Sequence, residues 1–195
     1  MKIEERIKNS NKPLSGVEIV LIDMQENLIQ GIHNKDELID SLLLLIQSIK
    51  IFKLPLIVTE QVPEKLGPTL GVLSSQFPNE NPIAKNSFSI FGSSEFCDHL
   101  NKNSISHLIL SGIETPICVY LSAIDALKEG YEVTILSDCV GSRRTEDERV
   151  IFRKLENAGC HILPLESFLY GCLGNAEHPD FREISKLVRG RIKSL

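Results

Sequence analysis

Two kinds of hydrophobic pattern alternate along this chain. Continuous apolar runs, typical of strands buried on both faces, occur at positions 17–23, 56–59, 83–85, 108–112, 131–136 and 160–163. Apolar residues at helical spacing occur at positions 34–49, 93–101, 118–130, 145–159 and 180–189. Strands that alternate with helices are typical of a mostly parallel sheet with helices on both faces. We therefore predict a three-layer α/β fold around a six-stranded sheet.

Sequence signals mark the ends of several predicted helices. Asn34 with Glu37, and Thr145 with Glu148, have the spacing of capping boxes, in which the first side chain accepts a hydrogen bond from the start of the helix. Gly159 follows the last apolar position of its helix, where glycine is common. These signals predict helices that begin after Asn34 and at Thr145.

Cys118 falls at a predicted junction of strand, turn and helix. The first turn of a helix leaves backbone N–H groups unpaired and carries partial positive charge, which favours a thiolate. A cysteine at such a position can have its pKa lowered from about 8.5 toward neutrality. The alternative is that Cys118 is a small buried apolar residue, as most free cysteines are. Position alone therefore leaves open whether Cys118 is reactive.

Two further side chains with chemical potential end predicted strands. Asp23 ends the first strand and Lys85 ends the third, while Cys118 follows the fourth. Because ligands bind beyond the carboxyl ends of parallel strands, these three residues are expected to meet in one crevice. Taken singly, Asp23 could equally cap a neighbouring helix, and an isolated lysine is more often solvated than buried. The long turn-rich segment 60–82 connects the second and third predicted strands, and connections of that length are often functional.

Composition narrows the partners and the location that we expect. The 195 residues carry a net charge of −5 and no basic run, which argues against binding to nucleic acid or to an anionic membrane. Residues 1–10 have no apolar core that would suggest a signal peptide, and the most apolar stretch, 42–52, is too short to span a bilayer. We expect a cytoplasmic protein with one domain over 1–195, in which 1–15 is a flexible segment.

The cysteines and histidines do not form a recognisable metal-binding pattern. Five cysteines are an odd number without CxxC spacing, and the five histidines are scattered. Reduced thiols are therefore more plausible than disulfides or a zinc site. We predict neither a metal nor a cofactor, and no glycine-rich phosphate-binding motif suggests a nucleotide.

Three segments carry a family resemblance. They are Val-Leu-Ile-Asp-Met-Gln at 20–25, Ala-Lys-Asn-Ser-Phe-Ser-Ile-Phe at 84–91 and Gly-Ile-Glu-Thr-Pro-Ile-Cys-Val at 112–119. Together they resemble the signatures of the isochorismatase-like cysteine hydrolases, and 137–143 is similar to the segment after that family's fifth strand. The tail over 166–181 resembles the branch of isochorismatase domain-containing proteins. The resemblance implies a Rossmann-like α/β hydrolase fold.

The resemblance also implies roles for individual residues. Cys118 would be the nucleophile that forms a thioester with an amide or related carbonyl compound, and Asp23 would be the general base. Lys85 would complete a catalytic triad by favouring both the thiolate and the ionised Asp23. A cis peptide bond would fall at Ile113–Glu114, and the backbone N–H groups of Glu114 and Cys118 would form the oxyanion hole. Family members commonly form homo-oligomers, so we expect one here.

Four residues near the predicted site are candidates for the substrate pocket: Glu60, Gln61, Phe88 and Phe91. Glu60 and Gln61 could equally mark only the entry into the loop, and the two phenylalanines are more often core. Residues 142–144 could contact an anionic substrate, although a solvated turn is the favoured interpretation.

Differences from the sequences of related enzymes narrow the range of reactions that we consider for this protein. Residues 59–63 hold no Asp-x-His segment such as the metal-binding nicotinamidases of this superfamily carry, and Cys118 disfavours the vinyl-ether hydrolysis of true isochorismatases. Two hypotheses remain. The first is a metal-independent hydrolase that acts on C–N bonds other than peptide bonds in a small molecule. The second is a non-catalytic interaction or redox-sensing module that uses Cys118 as a low-pKa thiol. The presence of Asp23, Lys85 and Cys118 together favours the enzyme.

Overall fold

Six parallel strands form the centre of the computed structural model, which describes residues 16–192. Their order across the sheet is β3-β2-β1-β4-β5-β6. The strands are β1 (Val17–Ile22), β2 (Leu56–Gln61), β3 (Ile83–Lys85), β4 (His107–Ile113), β5 (Glu132–Gly141) and β6 (His161–Leu163). Each neighbouring pair is parallel, which confirms the predicted α/β sheet. The expectations for residues 1–15 lie outside the described residues.

Helices cover both faces of the sheet. They are α1 (Glu26–Ile29), α2 (Lys35–Phe52), α3 (Pro63–Leu66), α4 (Gly71–Ser74), α5 (Ser94–Lys102), α6 (Tyr120–Lys128), α7 (Thr145–Ala158), α8 (Leu165–Leu173) and α9 (Phe181–Ile192). Apolar residues of α2, α8 and α9 form one core, whereas those of α5, α6 and α7 form the other. Within residues 16–192, no helix has the length and apolar character needed to cross a bilayer.

The central strand β1 shows why the sheet is buried on both sides. Ile19 and Leu21 belong to one core, and Val20 and Ile22 belong to the other. Because successive side chains of a strand point to opposite faces, a continuous apolar run supplies both cores at once. Asp23, which follows β1, therefore lies at the end of a central strand that is buried along its whole length.

Two predicted capping boxes are wrong. The helix expected after Asn34 begins there, but Asn34 has a φ of +55° and its side chain makes no capping hydrogen bond. At α7 the capping position is Arg144, so Thr145 is already helical. Burial raises the pKa of the Glu148 carboxyl, while donors of Ser142 and Thr115 beside it lower that pKa. Tertiary contacts, rather than the helix start, therefore engage Glu148.

Some elements differ from the sequence prediction. The helices α1, α3 and α4 were not predicted, because each has four residues and too few positions to show a period. The helix α8 was missed for another reason: most of its residues are apolar, and Pro164 precedes it without a side-chain cap. The strand β5 runs to Gly141, well past the predicted end at 136, with a shift in its register against β4.

Gly112 allows β4 to approach β1 next to the site. Its φ is +102°, and an added Cβ would overlap the backbone of Ile22. We expect Gly112→Ala to lower the free energy of unfolding by about 2–5 kcal/mol, because both the backbone strain and the overlap are unfavourable.

The matched control is Gly159→Ala. Gly159 has a φ of +106°, but an added Cβ there meets nothing within 4 Å. We expect this variant to lose only about 1 kcal/mol, since strain is its only cost. Urea unfolding of the two variants compares these losses directly. Equal losses would contradict the importance of the contact between β4 and β1.

Candidate active site

Asp23 lies directly after β1 with its side chain fully buried. Its backbone has a φ of +52°, unusual for a residue other than glycine, and its N–H donates to the Thr59 carbonyl at 3.1 Å. The turn therefore directs the carboxyl group away from the strand path and holds it at the carboxyl edge of the sheet. This is the edge at which we predicted the crevice.

Lys85 ends the edge strand β3 and is buried beside Asp23. Its ammonium donates to Asp23 Oδ2 at 2.6 Å and to Gln61 Oε1 at 2.7 Å. The backbone carbonyls of Ser87 and Phe88 accept from it at 3.1 and 3.3 Å. A buried ammonium is costly unless it is paired and hydrogen-bonded, and here both conditions are met. The structure therefore brings Asp23 and Lys85 together as an ion pair.

Cys118 lies in a π-helical turn, Thr115–Val119, that joins β4 to α6. Its thiol is buried, and its sulfur is 4.0 Å from Lys85 Nζ. The predicted junction of strand, turn and helix is thus present. Cys118, Asp23 and Lys85 form one cluster, although they come from segments far apart in the chain.

The expectation of a lowered cysteine pKa is wrong. The pKa of the Cys118 thiol is raised to about 12, mainly by burial and further by the negative charge of Asp23 and a hydrogen bond with its carboxyl. The positive charge of Lys85 and a backbone hydrogen bond with Glu114 lower this pKa but do not offset the effects that raise it. The thiol is therefore protonated at neutral pH, next to a carboxylate that can accept its proton.

Glu114 begins the turn that contains Cys118. The Ile113–Glu114 peptide bond is cis, as the resemblance implied. The Glu114 carbonyl accepts hydrogen bonds from Ile117 and Val119, at 3.0 and 3.2 Å. Its carboxylate accepts one from Arg143 Nε at 2.8 Å, so Arg143 pairs with the turn although most of its side chain is exposed. Hydrogen bonds thus hold both the backbone carbonyl and the side-chain carboxylate of Glu114.

Two site residues in β2 have functions that the sequence did not suggest. The hydroxyl of Thr59 donates to Asp23 Oδ1 at 2.8 Å, and the amide of Gln61 holds Lys85 and donates to the Asn86 carbonyl at 2.9 Å. Both are buried. A usable signal was present, because the apolar run of β2 ends in three polar residues, Thr59, Glu60 and Gln61, and the first and third of these point to the same face of the sheet.

The four pocket candidates occupy different places. Gln61 contacts Lys85, and Phe88 exposes 58% of its surface while its carbonyl accepts from the same ammonium. Glu60 instead uses its carboxylate to accept from the N–H and hydroxyl of Thr69, both at 2.7 Å. The ring of Phe91 packs against aromatic rings in the core beneath α5 and α6. The side chains of Glu60 and Phe91 therefore make contacts that stabilise the fold.

Within residues 16–192, no three His, Cys, Asp or Glu side chains are grouped so that they could hold a metal ion. The acidic member of the candidate site, Asp23, has a lysine rather than a second carboxylate or a histidine as its partner.

The fold and the site together define the class of protein. A parallel α/β sheet places a buried carboxylate, an ammonium and a thiol at the carboxyl ends of its strands, where ligands bind in open α/β sheets. The model of the isochorismatase domain matches residues 18–167. The chain belongs to the isochorismatase family, and membership in this family of hydrolases supports its assignment as an enzyme.

Individual relatives agree with this assignment. Isochorismatase domain-containing protein 2 of Danio rerio is 33% identical over 89% of this chain and 87% of its own length. A Caenorhabditis elegans structure described as MAR1 ribonuclease is 32% identical, has a TM-score of 0.83 and matches over 91% of both chains. The Escherichia coli YcaC gene product, an octameric hydrolase of unknown specificity, shares the fold at 21% identity, with a TM-score of 0.79 over 90% of this chain and 94% of its own.

Proposed function

We propose that this protein is a metal-independent cysteine hydrolase that cleaves a C–N bond, other than a peptide bond, in a small amide or related carbonyl compound. The observation that carries the proposal is the buried Asp23 carboxyl group, which contacts both the Cys118 thiol and the Lys85 ammonium. A nucleophile with an adjacent base, and a third group that orients the base, is the arrangement that covalent catalysis requires.

The first half of the reaction forms a thioester. Asp23 accepts the thiol proton while the sulfur of Cys118 attacks the carbonyl carbon, and the carbonyl oxygen becomes an oxyanion. The backbone N–H groups of Glu114 and Cys118 donate to that oxyanion. The intermediate then collapses, the C–N bond breaks, and Asp23 returns its proton to the leaving nitrogen. An acyl group remains on Cys118.

The second half consumes one water molecule. Asp23 takes a proton from the water while the water oxygen attacks the thioester carbon. The C–S bond breaks, the carboxylic acid leaves, and the proton returns to the sulfur of Cys118. The sum is amide plus water to acid plus amine, and the enzyme is regenerated.

Lys85 supplies charge rather than a transferable proton in this scheme. Its ammonium balances the buried carboxylate at 2.6 Å and lowers the pKa of Cys118, although burial raises that pKa more. When the sulfur becomes negative during proton transfer, the ammonium 4.0 Å away stabilises it. The site therefore favours the thiolate at the moment of attack rather than at rest.

The same electrostatics argue against the redox-sensing alternative. Peroxides and disulfides react with the thiolate, and sensor cysteines have low pKa values and good exposure. Cys118 is buried and its pKa is raised to about 12. A sensor would also not need a general base beside the thiol. The hydrolase is therefore the function that the site supports best.

A small molecule is the substrate that we favour over RNA. The ribonuclease description belongs to the C. elegans protein, whereas this chain has a net charge of −5 and no basic run that would bind phosphates. We expect no cleavage of RNA, a cytoplasmic location, and assembly into a homo-oligomer; the last expectation accords with the octameric description of the E. coli protein.

The test is a screen of aliphatic amides, carbamoyl compounds and ureides, followed by coupled detection of released ammonia. We expect Cys118→Ser to lower turnover of any hit at least about a thousandfold. Cys160→Ser is the matched control, because Cys160 is buried in the core beneath α5, α6 and α7, and its pKa is also raised to about 12 by burial. Intact-mass and peptide analysis of a quenched reaction should find the acyl group on Cys118. Unchanged turnover in Cys118→Ser would exclude the proposed mechanism.

A further inference from the structure

Thr59 contacts Asp23 through both its backbone and its side chain. The two strands are in register, with Ile22 opposite Thr59, so that Asp23 follows immediately beside it. The Thr59 carbonyl accepts from the Asp23 N–H at 3.1 Å, and the Thr59 hydroxyl donates to Asp23 Oδ1 at 2.8 Å. Thr59 itself is 1% exposed. Water is therefore excluded from this hydrogen bond.

The two oxygens of the Asp23 carboxylate have different partners. Oδ1 accepts from the Thr59 hydroxyl, whereas Oδ2 accepts from Lys85 Nζ at 2.6 Å. Two donors on opposite oxygens fix the plane of the carboxylate, which a single ion pair would leave free to rotate.

We propose that Thr59 is a positioning residue that fixes the orientation of the Asp23 carboxylate beside Lys85 and Cys118. The inference rests on the proposed function for the role of Asp23 as the base. Lys85 alone would neutralise Asp23, but it does not determine which oxygen faces which partner. The hydroxyl of Thr59 binds Oδ1 and so leaves Oδ2 for Lys85, and the Thr59 carbonyl holds the Asp23 backbone.

The geometry of β2 explains how one strand supports two site residues. Thr59 and Gln61 are two positions apart and hold Asp23 and Lys85 respectively, while Glu60 between them bonds to Thr69 instead. Alternate side chains of a strand point to the same face, so this pattern follows from the pleat. The short strand β2 thereby aligns an acid from one neighbouring strand with a cation from the other.

The experiment measures the rate of Cys118 alkylation by iodoacetamide as a function of pH, resolved by peptide mass spectrometry. In the wild type, the rate is expected to rise only at high pH, because burial and the adjacent Asp23 carboxyl raise the pKa of the Cys118 thiol. In Thr59→Val the carboxyl group is free to turn away from the thiol, so the rise should begin at a pH lower by about 0.5 unit or more. Thr59→Ala should show the same shift, and Thr59→Ser should restore the wild-type profile.

The matched control is Thr134→Val. Thr134 is a fully buried threonine of β5 whose hydroxyl bonds to His107 at 2.9 Å, so this substitution also removes one buried strand hydroxyl. Its profile should superimpose on that of the wild type. An equal shift in both variants, no shift in Thr59→Val, or a shift of Thr59→Val to higher pH would overturn the inference.

Alkylation needs no turnover, so the result separates the inference from the proposed function. If no amide is hydrolysed but the shift occurs, the positioning role stands and the hydrolase proposal fails. If amides are hydrolysed through Cys118 and Thr59→Val behaves like the wild type, the hydrolase proposal stands and the role of Thr59 is refuted.

Discussion

Replacing Asp23 by asparagine is expected to lower amide hydrolysis by roughly 10²–10⁴-fold while Cys118 still reacts with alkylating reagents. Asparagine has nearly the same shape but cannot accept the proton of the thiol. The electrostatics of the site also determine the direction in which the pKa of Cys118 should change. The charge and hydrogen bond of Asp23 raise the pKa of Cys118, so removing them should lower it below about 12, although burial continues to raise it.

Two measurements test this expectation together. Ammonia release gives the hydrolytic rate, and the pH dependence of Cys118 alkylation, resolved by peptide mass spectrometry, gives the ionisation of that cysteine. Asp125→Asn is the control, because Asp125 lies on α6 after the nucleophile and pairs with Lys128 at 2.9 Å. A higher cysteine pKa in Asp23→Asn, or hydrolysis at the wild-type rate, would show that Asp23 is not the base.

The second large effect is expected in stability. Lys85→Met leaves the fully buried Asp23 carboxylate without its counter-charge, and the loss of one member of a buried pair costs about 3–5 kcal/mol. Loss of the ammonium should also raise the pKa of Cys118, because its positive charge lowers that pKa in the intact protein. Urea unfolding and thiolate titration measure the two consequences.

A control and a double variant make the stability prediction specific. Lys128→Met removes an exposed ion pair with Asp125 and is expected to cost less than about 1 kcal/mol. Adding Asp23→Asn to Lys85→Met should recover part of the lost stability, because neither charge of the buried pair then remains. The explanation fails if Lys85→Met is as stable as Lys128→Met, or if the double variant is less stable than Lys85→Met.

The position of the site was predictable from particular residues. Asp23 and Lys85 each end an apolar run, and Cys118 follows one; parallel strands place such ends at one edge. The alternation between apolar runs and helically spaced apolar residues was sufficient to predict all six strands, since a strand buried on both faces leaves a continuous apolar pattern. The resemblance added the cis bond at Ile113–Glu114, which no hydrophobic pattern encodes.

The electrostatics of the site were not predictable in the same way. A helix start suggested a lowered pKa for Cys118, but the burial of the thiol and the nearness of Asp23 outweigh that effect. Burial depends on how segments far apart in the chain pack together, and a local pattern contains no such information. The hydrogen bond from Thr59 to Asp23 joins residues 36 positions apart for the same reason.

Lys85 lies on the outermost strand, and β3 has only three residues. Edge segments with few hydrogen bonds open more readily than the centre of a sheet, often without global unfolding. Asp23 and Cys118, on the interior strands and the turn that follows them, would remain in place during such an opening. The ammonium is thus held by a short edge strand, which is expected to open before the centre of the sheet does. Warming is therefore expected to inactivate this protein reversibly at temperatures below its cooperative melting transition.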